Sequence, residues 1–352
     1  MGQMSKPNIV NFSDFHAHIF QDFSKPSETY VTDRFEEQLA VLKSVLDYAQ
    51  EHDADVLFNG DLFHKRTVVD VRVFNPVYEI FQSYPDLTVY LLRGNHDSVT
   101  NSMYTESALE PFSALPNVKV ISEMEKIVTP YYTLYGVPYG EEVAEMKQWI
   151  AEQAKHLSTD TFNILCAHIG VNGATTGKYS HTLDGAFTVE DLWYKAFDLV
   201  TLGHYHKRQH LAQLPNVFYV GNTLQTSFAD EGMDKGFYYI AIDGSKFTLD
   251  FIKTDYTPFI TINAENAPED LGNAYYQFVG NVAEAKAVIA VKEEQNLSNI
   301  RVNVKKDFAI PPRIDIKAGS TPEEVVKAFT DKTFPDLEKK AFECLREAME
   351  SR

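Results

Sequence analysis

Aspartate, asparagine and histidine recur in five short clusters within the first 206 residues of the chain. The clusters read DFH at 14–16, GDLFH at 60–64, RGNHD at 93–97, AH at 167–168 and GHYH at 203–206. Carboxylate and amide oxygens combined with imidazole nitrogens, without thiolates, suit manganese, iron or zinc better than calcium. Two such ions held close together can clamp a phosphoryl group for in-line attack. These residue types therefore predict a two-metal centre for phosphoryl transfer.

The first cluster, within NFSDFHAHIF at 11–20, can be divided in two ways. Paired as Asp14 and His16, it could open a two-metal phosphoesterase site. Paired as His16 and His18, it could open an amidohydrolase-type or polymerase-associated barrel site, which requires an eightfold β/α pattern that the later segments fit badly. The motifs further along the chain favour the first division, and alternation along an extended strand end would point Asp14 and His16 to one face. His18 could share that face, and we expect it beside the ligands or facing solvent.

Each cluster directly follows a segment with the composition of a buried strand. These segments are 8–13, 54–60, 87–94, 162–168 and 197–204. Apolar residues at helical spacing in 32–52 and 68–84 predict helices between the first three strands, with Pro76 indicating a kink or a late start in the second helix. This alternation predicts an α/β core with parallel strands. Ligands collect at the carboxyl ends of such strands, so we expect the clusters at one edge.

The sequence indicates that the chain is divided into three parts. Residues 236–242 and 246–252, joined by Asp243-Gly244, are typical of a hairpin in a second sheet. We predict a catalytic domain at 1–255, a small α+β domain at 256–318 and a helical tail at 319–352. Two helices separated at Pro335 form the tail.

Composition limits the classes of protein and partner. The 352 residues contain 44% hydrophobic residues and carry a formal net charge of −18. The absence of an apolar run of about 18 residues predicts that no helix spans a membrane. Two distant cysteines are typical of a reducing cytoplasm.

The acidic charge is a poor match for a protein that grips DNA by itself, since non-specific DNA binding depends on neutralising phosphates. Total charge says little about a local patch, however. Basic residues do flank the metal clusters, namely Lys65, Arg66, Arg93, Lys207 and Arg208. We therefore expect positive potential at the rim of the site.

The five clusters, read as D-x-H, G-D-x-x-H, G-N-H-D, a later histidine and G-H-x-H, resemble the motifs of the calcineurin-like metallophosphoesterases. The resemblance covers residues 8–255. Within that family, the spacing and flanking residues resemble more specifically the SbcD-type DNA-repair nucleases and their phage recombination counterparts. His64 ends the second motif as in that group, and 217–240 is similar to their strand, glycine, polar turn and KGF segment. The implied fold is a two-sheet metallophosphoesterase sandwich flanked by helices, with a small α+β cap domain and a C-terminal helical tail.

The resemblance also implies roles for individual residues. One ion would be held by Asp14, His16, Asp61 and His206, and the other by Asp61, Asn95, His168 and His204. His96 would stabilise the transition state or protonate the leaving oxygen, with Asp97 orienting it. His64 would position the phosphate or the leaving group. The family has a nonpolar or small residue in place of His18, so no role is implied there.

The activity implied by the resemblance is manganese-dependent DNA cleavage, as an exonuclease and an endonuclease. Two divalent ions would be required, most suitably Mn²⁺, with Mg²⁺, Fe²⁺ or Zn²⁺ as other candidates. The C-terminal helices would bind an SMC-like ABC ATPase of the SbcC type, and the nuclease would be a homodimer. The alternatives are a small-molecule phosphodiesterase or phosphatase on the same fold, and a non-catalytic scaffold subunit.

Overall fold

The computed structural model describes residues 6–175, 187–268, 271–305 and 320–350. Within these ranges the strands are β1 (Asn8–Phe12), β2 (Ala54–Phe58), β3 (Val89–Leu92), β4 (Val118–Ile121), β5 (Glu125–Val128), β6 (Tyr132–Val137), β7 (Phe162–His168), β8 (Leu199–Gly203), β9 (Gln209–His210), β10 (Val217–Tyr219), β11 (Gly236–Asp243), β12 (Lys246–Lys253), β13 (Phe259–Ile262), β14 (Tyr275–Gly280) and β15 (Ile300–Val304). The α-helices are α1 (Asp33–Glu51), α2 (Val71–Gln82), α3 (Val143–Ala154), α4 (Val282–Glu294), α5 (Pro322–Thr333) and α6 (Glu338–Glu350).

Two six-stranded sheets form the main body. The first has the order β12-β11-β1-β2-β3-β4, and the second the order β5-β6-β7-β8-β10-β9. Among the strands that precede the metal clusters, β1, β2 and β3 pair in parallel with one another in the first sheet, and β7 and β8 do so in the second, whereas β11 pairs with β1 antiparallel. A shared core between the sheets includes Ile9 and Leu57 of the first and Leu134 and Ile164 of the second. The outer faces bury helices, α1 and α2 on the first sheet and α3 on the second.

Local sequence explains where the first two helices begin. The Thr32 side chain caps α1 by accepting from the backbone N–H of Phe35 at 3.2 Å, and Asp70 caps α2 through the N–H of Arg72. Such caps satisfy N–H groups that have no partner in the first turn. The second helix begins at Val71 and holds Pro76 in its second turn, so the proline does not mark the start of this helix.

A small parallel sheet of β13, β14 and β15 follows the main body, with α4 packed on it. It docks on the main body through backbone N–H groups, Phe259 N donating to Gln225 Oε1 at 2.8 Å and Thr261 N to Glu231 Oε1 at 2.6 Å. The tail forms the two predicted helices, with Pro335 at the break between them. The predicted fold class is thereby confirmed. The boundary placed at residue 318 lies outside the described residues and stays a prediction.

The tail exposes several large apolar side chains. Phe329, Phe334, Leu337 and Met349 are 42–54% exposed. No helix within the described ranges has the length and apolar character needed to cross a bilayer.

Candidate metal centre

The loops after β1 and β2 are joined backbone to backbone beyond the ends of the strands. Asp14 N donates to Gly60 O and His16 N to Asp61 O, both at 2.9 Å, and Ala17 N donates to Leu62 O at 2.8 Å. The parallel register of the two strands is thus prolonged into the loops that carry the first two clusters. This pairing fixes Asp14, His16 and Asp61 relative to one another.

Four residues of these clusters have left-handed backbone. The φ angles are 50° at Asp14, 52° at His16, 64° at Asp61 and 104° at His204. Residues with a side chain adopt this region at a cost of roughly 1–3 kcal/mol each. The expected strand alternation is therefore wrong as an explanation, because β1 ends at Phe12 and two left-handed residues turn Asp14 and His16 into the site. Strain of this kind concentrates where function demands a fixed geometry.

One group of donors forms around His16. The Nε2 atoms of His16 and His206 lie 3.0 Å apart, and Asp61 Oδ2 lies 3.7 Å from His16 Nε2. Asp14, His16 and His206 each offer a ligand atom within 4.8 Å of the others. Asp14 is held by the Ser13 hydroxyl at 2.5 Å and by the backbone N–H of His204. The predicted ligands of one ion are thus brought together.

The second group forms on the other side of Asp61. Asp61 Oδ2 lies 3.4 Å from His168 Nε2. Asn95 Oδ1 lies 3.0 Å from both His168 Nε2 and His204 Nδ1. The other ring nitrogen of His168 donates to the Asn59 carbonyl at 2.6 Å, which orients the ring. Asp61 therefore stands between the two groups, as a bridging carboxylate would.

The electrostatics of the buried groups favour cation binding. Burial lowers the pKa of His16 well below its usual value and lowers the pKa of His204 to about 3, so both rings are neutral and offer lone pairs. Burial opposes charge on His168 too, but Asp61 raises the pKa of His168 to about 9. Against its own burial, Asp61 is kept ionised by His168, which lowers its pKa. A divalent ion bound at His168 Nε2 would replace the proton on that nitrogen and take over the pairing with Asp61.

The donors fit a pair of divalent ions on chemical grounds. The Nε2 atoms of His16 and His206 lie within hydrogen-bond distance, so one ring can donate an N–H to the other, and both can instead turn lone pairs to a shared cation. His16 Nδ1 is buried and has no hydrogen-bond partner among the described residues. Mixed imidazole, amide and carboxylate ligation without thiolate matches manganese, iron or zinc.

His96 and His64 lie beside the first group. Their rings are stacked with centroids 5.6 Å apart, and the His16 ring is 4.8 Å from His96. His96 Nδ1 donates to the His64 carbonyl at 2.7 Å, while the His96 N–H donates to Asp61 Oδ1 at 2.7 Å. The ring is therefore held so that its Nε2 is free to carry a proton.

Asp97 has a different task from the one expected. Its Oδ2 accepts from the backbone N–H groups of Asp61 at 2.9 Å and Gly94 at 3.0 Å, and its Oδ1 accepts from Phe63 at 3.1 Å. Orientation of the His96 ring falls instead to the His64 carbonyl, so that role for Asp97 is wrong. Asp97 fixes the loop that presents the bridging candidate Asp61.

His18 lies outside the candidate ligand groups. Its backbone is held on both sides by Gln38, and its half-buried ring lies 5.0 Å from both His64 and Phe20. The expectation of a place beside the ligands matches this position.

The flanking basic residues differ in exposure. Arg93 is fully buried and donates to carbonyls of Met103 and Tyr139, so it braces the loop rather than facing a substrate. Lys65 and Arg208 are exposed. Positive potential at the rim is thus more limited than expected.

Lys235 is a site residue to which sequence reasoning gave no role. It is 1% exposed, and its Nζ donates to His206 O at 2.9 Å and to Asp230 Oδ1 at 2.8 Å. Its position in the KGF segment was the available signal. A buried charge so close to a ligand backbone positions His206.

Replacing Lys235 with methionine is expected to lower the free energy of unfolding by about 3–5 kcal/mol, since Asp230 is left buried and unpaired. Urea denaturation measures this. Lys253 offers a matched control, because its Nζ also lies 2.8 Å from a carboxylate, that of Asp234, but on the surface. Lys253→Met should cost less than about 1 kcal/mol. Equal losses in the two variants would contradict the role of burial.

Gly94 allows the third cluster to approach Asp61. A Cβ at Gly94 would lie 2.2 Å from Asp61 Oδ1 and 2.3 Å from Asp61 N. Gly94→Ala should therefore displace Asp61 and weaken Mn²⁺ binding about 10–100-fold, as measured by calorimetry. Gly272→Ala is the control, since only the Tyr276 hydroxyl comes within 4.0 Å there. Unchanged affinity in Gly94→Ala would show that Asp61 can move without loss.

Fold and donor arrangement together define a metallophosphoesterase. The family model described as calcineurin-like phosphoesterase matches residues 7–208, more than half of the chain, and the chain belongs to this family. The family-level resemblance read from the motifs is thereby confirmed.

Individual relatives are distant. The chain is 29% identical over 225 residues to the uncharacterized metallophosphoesterase YhaO of Bacillus subtilis, covering 61% of this chain and 52% of that protein. It is 21% identical over 257 residues to the uncharacterized protein R555 of Acanthamoeba polyphaga mimivirus, covering 70% and 18%. The chain thus spans about half the length, or less, of these relatives.

Solved structures show weak overall similarity. A dimetal phosphatase from Danio rerio has a TM-score of 0.41 and 10% identity, covering 69% of this chain and 98% of that one. The calcineurin-like phosphoesterase YfkN from Bacillus subtilis has a TM-score of 0.35 and 14% identity, covering 70% and 89%.

Proposed function

We propose that this metallophosphoesterase is a manganese-dependent DNA nuclease that acts as the catalytic subunit of an SbcCD-type repair or recombination complex. It would cleave duplex ends as an exonuclease, and single strands or hairpins as an endonuclease. The observation that carries the proposal is the stacked pair of His64 and His96 next to the donor groups. A DNA diester releases an alkoxide, a poor leaving group that benefits from protonation, and a positioned histidine can supply the proton.

Each of the two donor groups supplies the proposed ligands of one ion, and Asp61 is shared by both. Asp14, His16, Asp61 and His206 would hold one ion, and Asp61, Asn95, His168 and His204 the other. When bound, the two ions would polarise the phosphoryl group and offset the charge that develops on it. Manganese is proposed on the strength of the motif resemblance, and the mixed nitrogen and oxygen donors suit it as they suit iron and zinc.

The protein residues do the remaining work. With both ring nitrogens protonated, His96 would give its Nε2 proton to the departing oxygen and become the neutral ring, whose Nδ1–H stays on the His64 carbonyl. His64 would border the departing strand with its ring. Asp97 and Lys235 would hold the loops of Asp61 and His206 in place.

We also propose that α5 and α6 dock on an SMC-like ABC ATPase of the SbcC type. The exposed apolar residues of the tail, such as Phe329 and Leu337, support a partner-binding surface. Such a partner would supply DNA affinity that a chain of net charge −18 lacks. Deleting 321–352 should abolish co-purification with the ATPase, and unchanged association would count against the surface.

We also propose that the chain forms a homodimer through helices of the catalytic domain. Val68, in the loop before α2, and Val71, the first residue of α2, are 73% and 67% exposed and offer an apolar patch. Sedimentation of the purified chain measures the oligomeric state.

A small-molecule phosphodiesterase or phosphatase is the second candidate. The net charge of −18 favours it, because a small substrate does not require an extended positive surface. It predicts turnover of aryl phosphates or cyclic nucleotides and none of DNA. A non-catalytic scaffold is disfavoured by the complete donor set.

One assay separates these functions. The purified chain is incubated in Mn²⁺ with end-labelled duplex DNA, with a labelled single strand, and separately with bis(p-nitrophenyl) phosphate. Cleavage of DNA that requires Mn²⁺ supports the nuclease. Turnover of the aryl diester alone would reject the nuclease and support the small-molecule enzyme.

A further inference from the structure

A pocket of about 510 Å³ opens beside the candidate metal centre. Its walls come from the segment after β1, the start of α1, the segment before β11 and the small sheet. His64 is one of its lining residues, and the Phe20 ring lies beside it at 5.2 Å between ring centroids, tilted by 56°. The volume falls within the roughly 300–1,000 Å³ typical of small-ligand sites. The pocket is therefore next to the place where a phosphate would be cleaved.

Aromatic rings and cations dominate the lining. Phe228 and Phe259 stand with centroids 4.9 Å apart, and the Arg301 guanidinium lies 4.8 Å above the Phe228 ring. Arg34 lies 4.8 Å from the centroid of Phe20. Flat apolar faces with cations over them are the surfaces on which nucleobases stack.

Arg34 is the most unusual member of the lining. It is 5% exposed, and its guanidinium donates to the carbonyls of Asp22 at 2.8 Å and Thr226 at 3.1 Å. It belongs to none of the ion pairs found among the described residues, although Glu37, Asp22 and Asp33 stabilise its charge from a longer distance. With Arg301, which lies over Phe228 and also pairs with Asp22 at 3.9 Å, it places two cations against the aromatic rings of the pocket, and this favours an electron-rich occupant.

We propose that this pocket receives the unpaired nucleobase of a nucleotide that flanks the scissile phosphate. The proposal rests on the nuclease function and names how that site holds its substrate. A base leaving the helical stack would pass the rings of His64 and His18 and lie against Phe20 and Phe228. We expect a base rather than a second phosphate in this pocket, because aromatic rings are more numerous in its lining than side chains with an N–H group to offer a phosphate.

Calorimetric titration of the full-length chain tests the pocket without needing turnover. The ligands are deoxyadenosine 5′-monophosphate and deoxyribose 5-phosphate, which differ only by the base, in calcium buffer to suppress hydrolysis. The nucleotide should bind about tenfold more tightly, as stacking on one aromatic side chain supplies. Phe228→Ala should remove most of that difference. Tyr131→Ala is the matched control, since this 47% exposed aromatic side chain precedes β6 at the opposite edge of the sheets and should leave the difference intact.

Equal affinities of the wild-type chain for the two ligands would contradict base binding in the pocket. This comparison needs no variant that could misfold. A base-dependent difference that survives Phe228→Ala would contradict base binding there as well. DNA cleavage together with equal affinities would leave the nuclease standing and reject the pocket. Base-dependent binding that is lost in Phe228→Ala, in a chain that cleaves no DNA, would keep the pocket and reject the nuclease.

Discussion

Changing Asp61 to asparagine is expected to lower kcat for bis(p-nitrophenyl) phosphate in Mn²⁺ by about 10³-fold or more, equivalent to about 4 kcal/mol of transition-state stabilisation. Asp61 is the carboxylate that both donor groups share, lying 3.7 Å from His16 Nε2 and 3.4 Å from His168 Nε2. Asparagine keeps the shape, and it can still accept from the N–H of His96. What it removes is the negative charge and one anionic oxygen.

Calorimetry should show the same change as a loss of at least one of two Mn²⁺ sites. Asp243→Asn is the control, because this exposed aspartate lies in the hairpin turn at the opposite edge of the sheet and asparagine suits that turn equally well. Near-normal kcat in Asp61→Asn, with two ions still bound, would show that the shared carboxylate is unnecessary.

Replacing His96 with alanine is expected to lower kcat for DNA by about 10²–10⁴-fold, the usual contribution of a positioned general acid. The effect should depend on the leaving group. p-Nitrophenolate departs without protonation, so kcat for bis(p-nitrophenyl) phosphate should fall far less than kcat for DNA. Mn²⁺ affinity should stay within about threefold, since the ring of His96 is held by the His64 carbonyl rather than by a ligand side chain.

The two substrates therefore distinguish the possible roles of His96. Equal losses on both would assign His96 to stabilisation of charge on the phosphoryl oxygens instead of proton donation. No loss on DNA would remove His96 from the mechanism. His52→Ala, at the exposed end of α1, is the control histidine, and it should change neither rate.

Much of the site could be predicted because its residues follow strands. A short apolar run that ends in Asp, Asn or His predicts where that polar side chain lies, because the carboxyl ends of parallel strands meet at one edge of the sheet. His168 illustrates this, as the last residue of β7 and fully buried. The helix predicted from the apolar spacing in 32–52 is likewise local, and it is α1, Asp33–Glu51.

What could not be predicted depends on contacts between distant segments. Asp97 binds backbone N–H groups as far back as Asp61, and only the folded loop shows that these, and not His96, are its partners. Arg93 has the sequence environment of a substrate-facing cation, yet four segments close around it. Left-handed backbone at Asp14 and His16 likewise has no marker such as glycine in the sequence.

The division of the donors between two sheets has a further consequence. Asp14, Asp61 and Asn95 follow strands of the first sheet, and His168 and His204 belong to the second. Ions bound between them would cross-link the two halves of the sandwich, so their binding free energy would add to the stability of the folded chain by mass action. Ion availability would then govern how long each molecule survives proteolysis as well as how fast it works. Removing the ions with a chelator should therefore speed proteolysis of the chain, independently of its effect on catalysis.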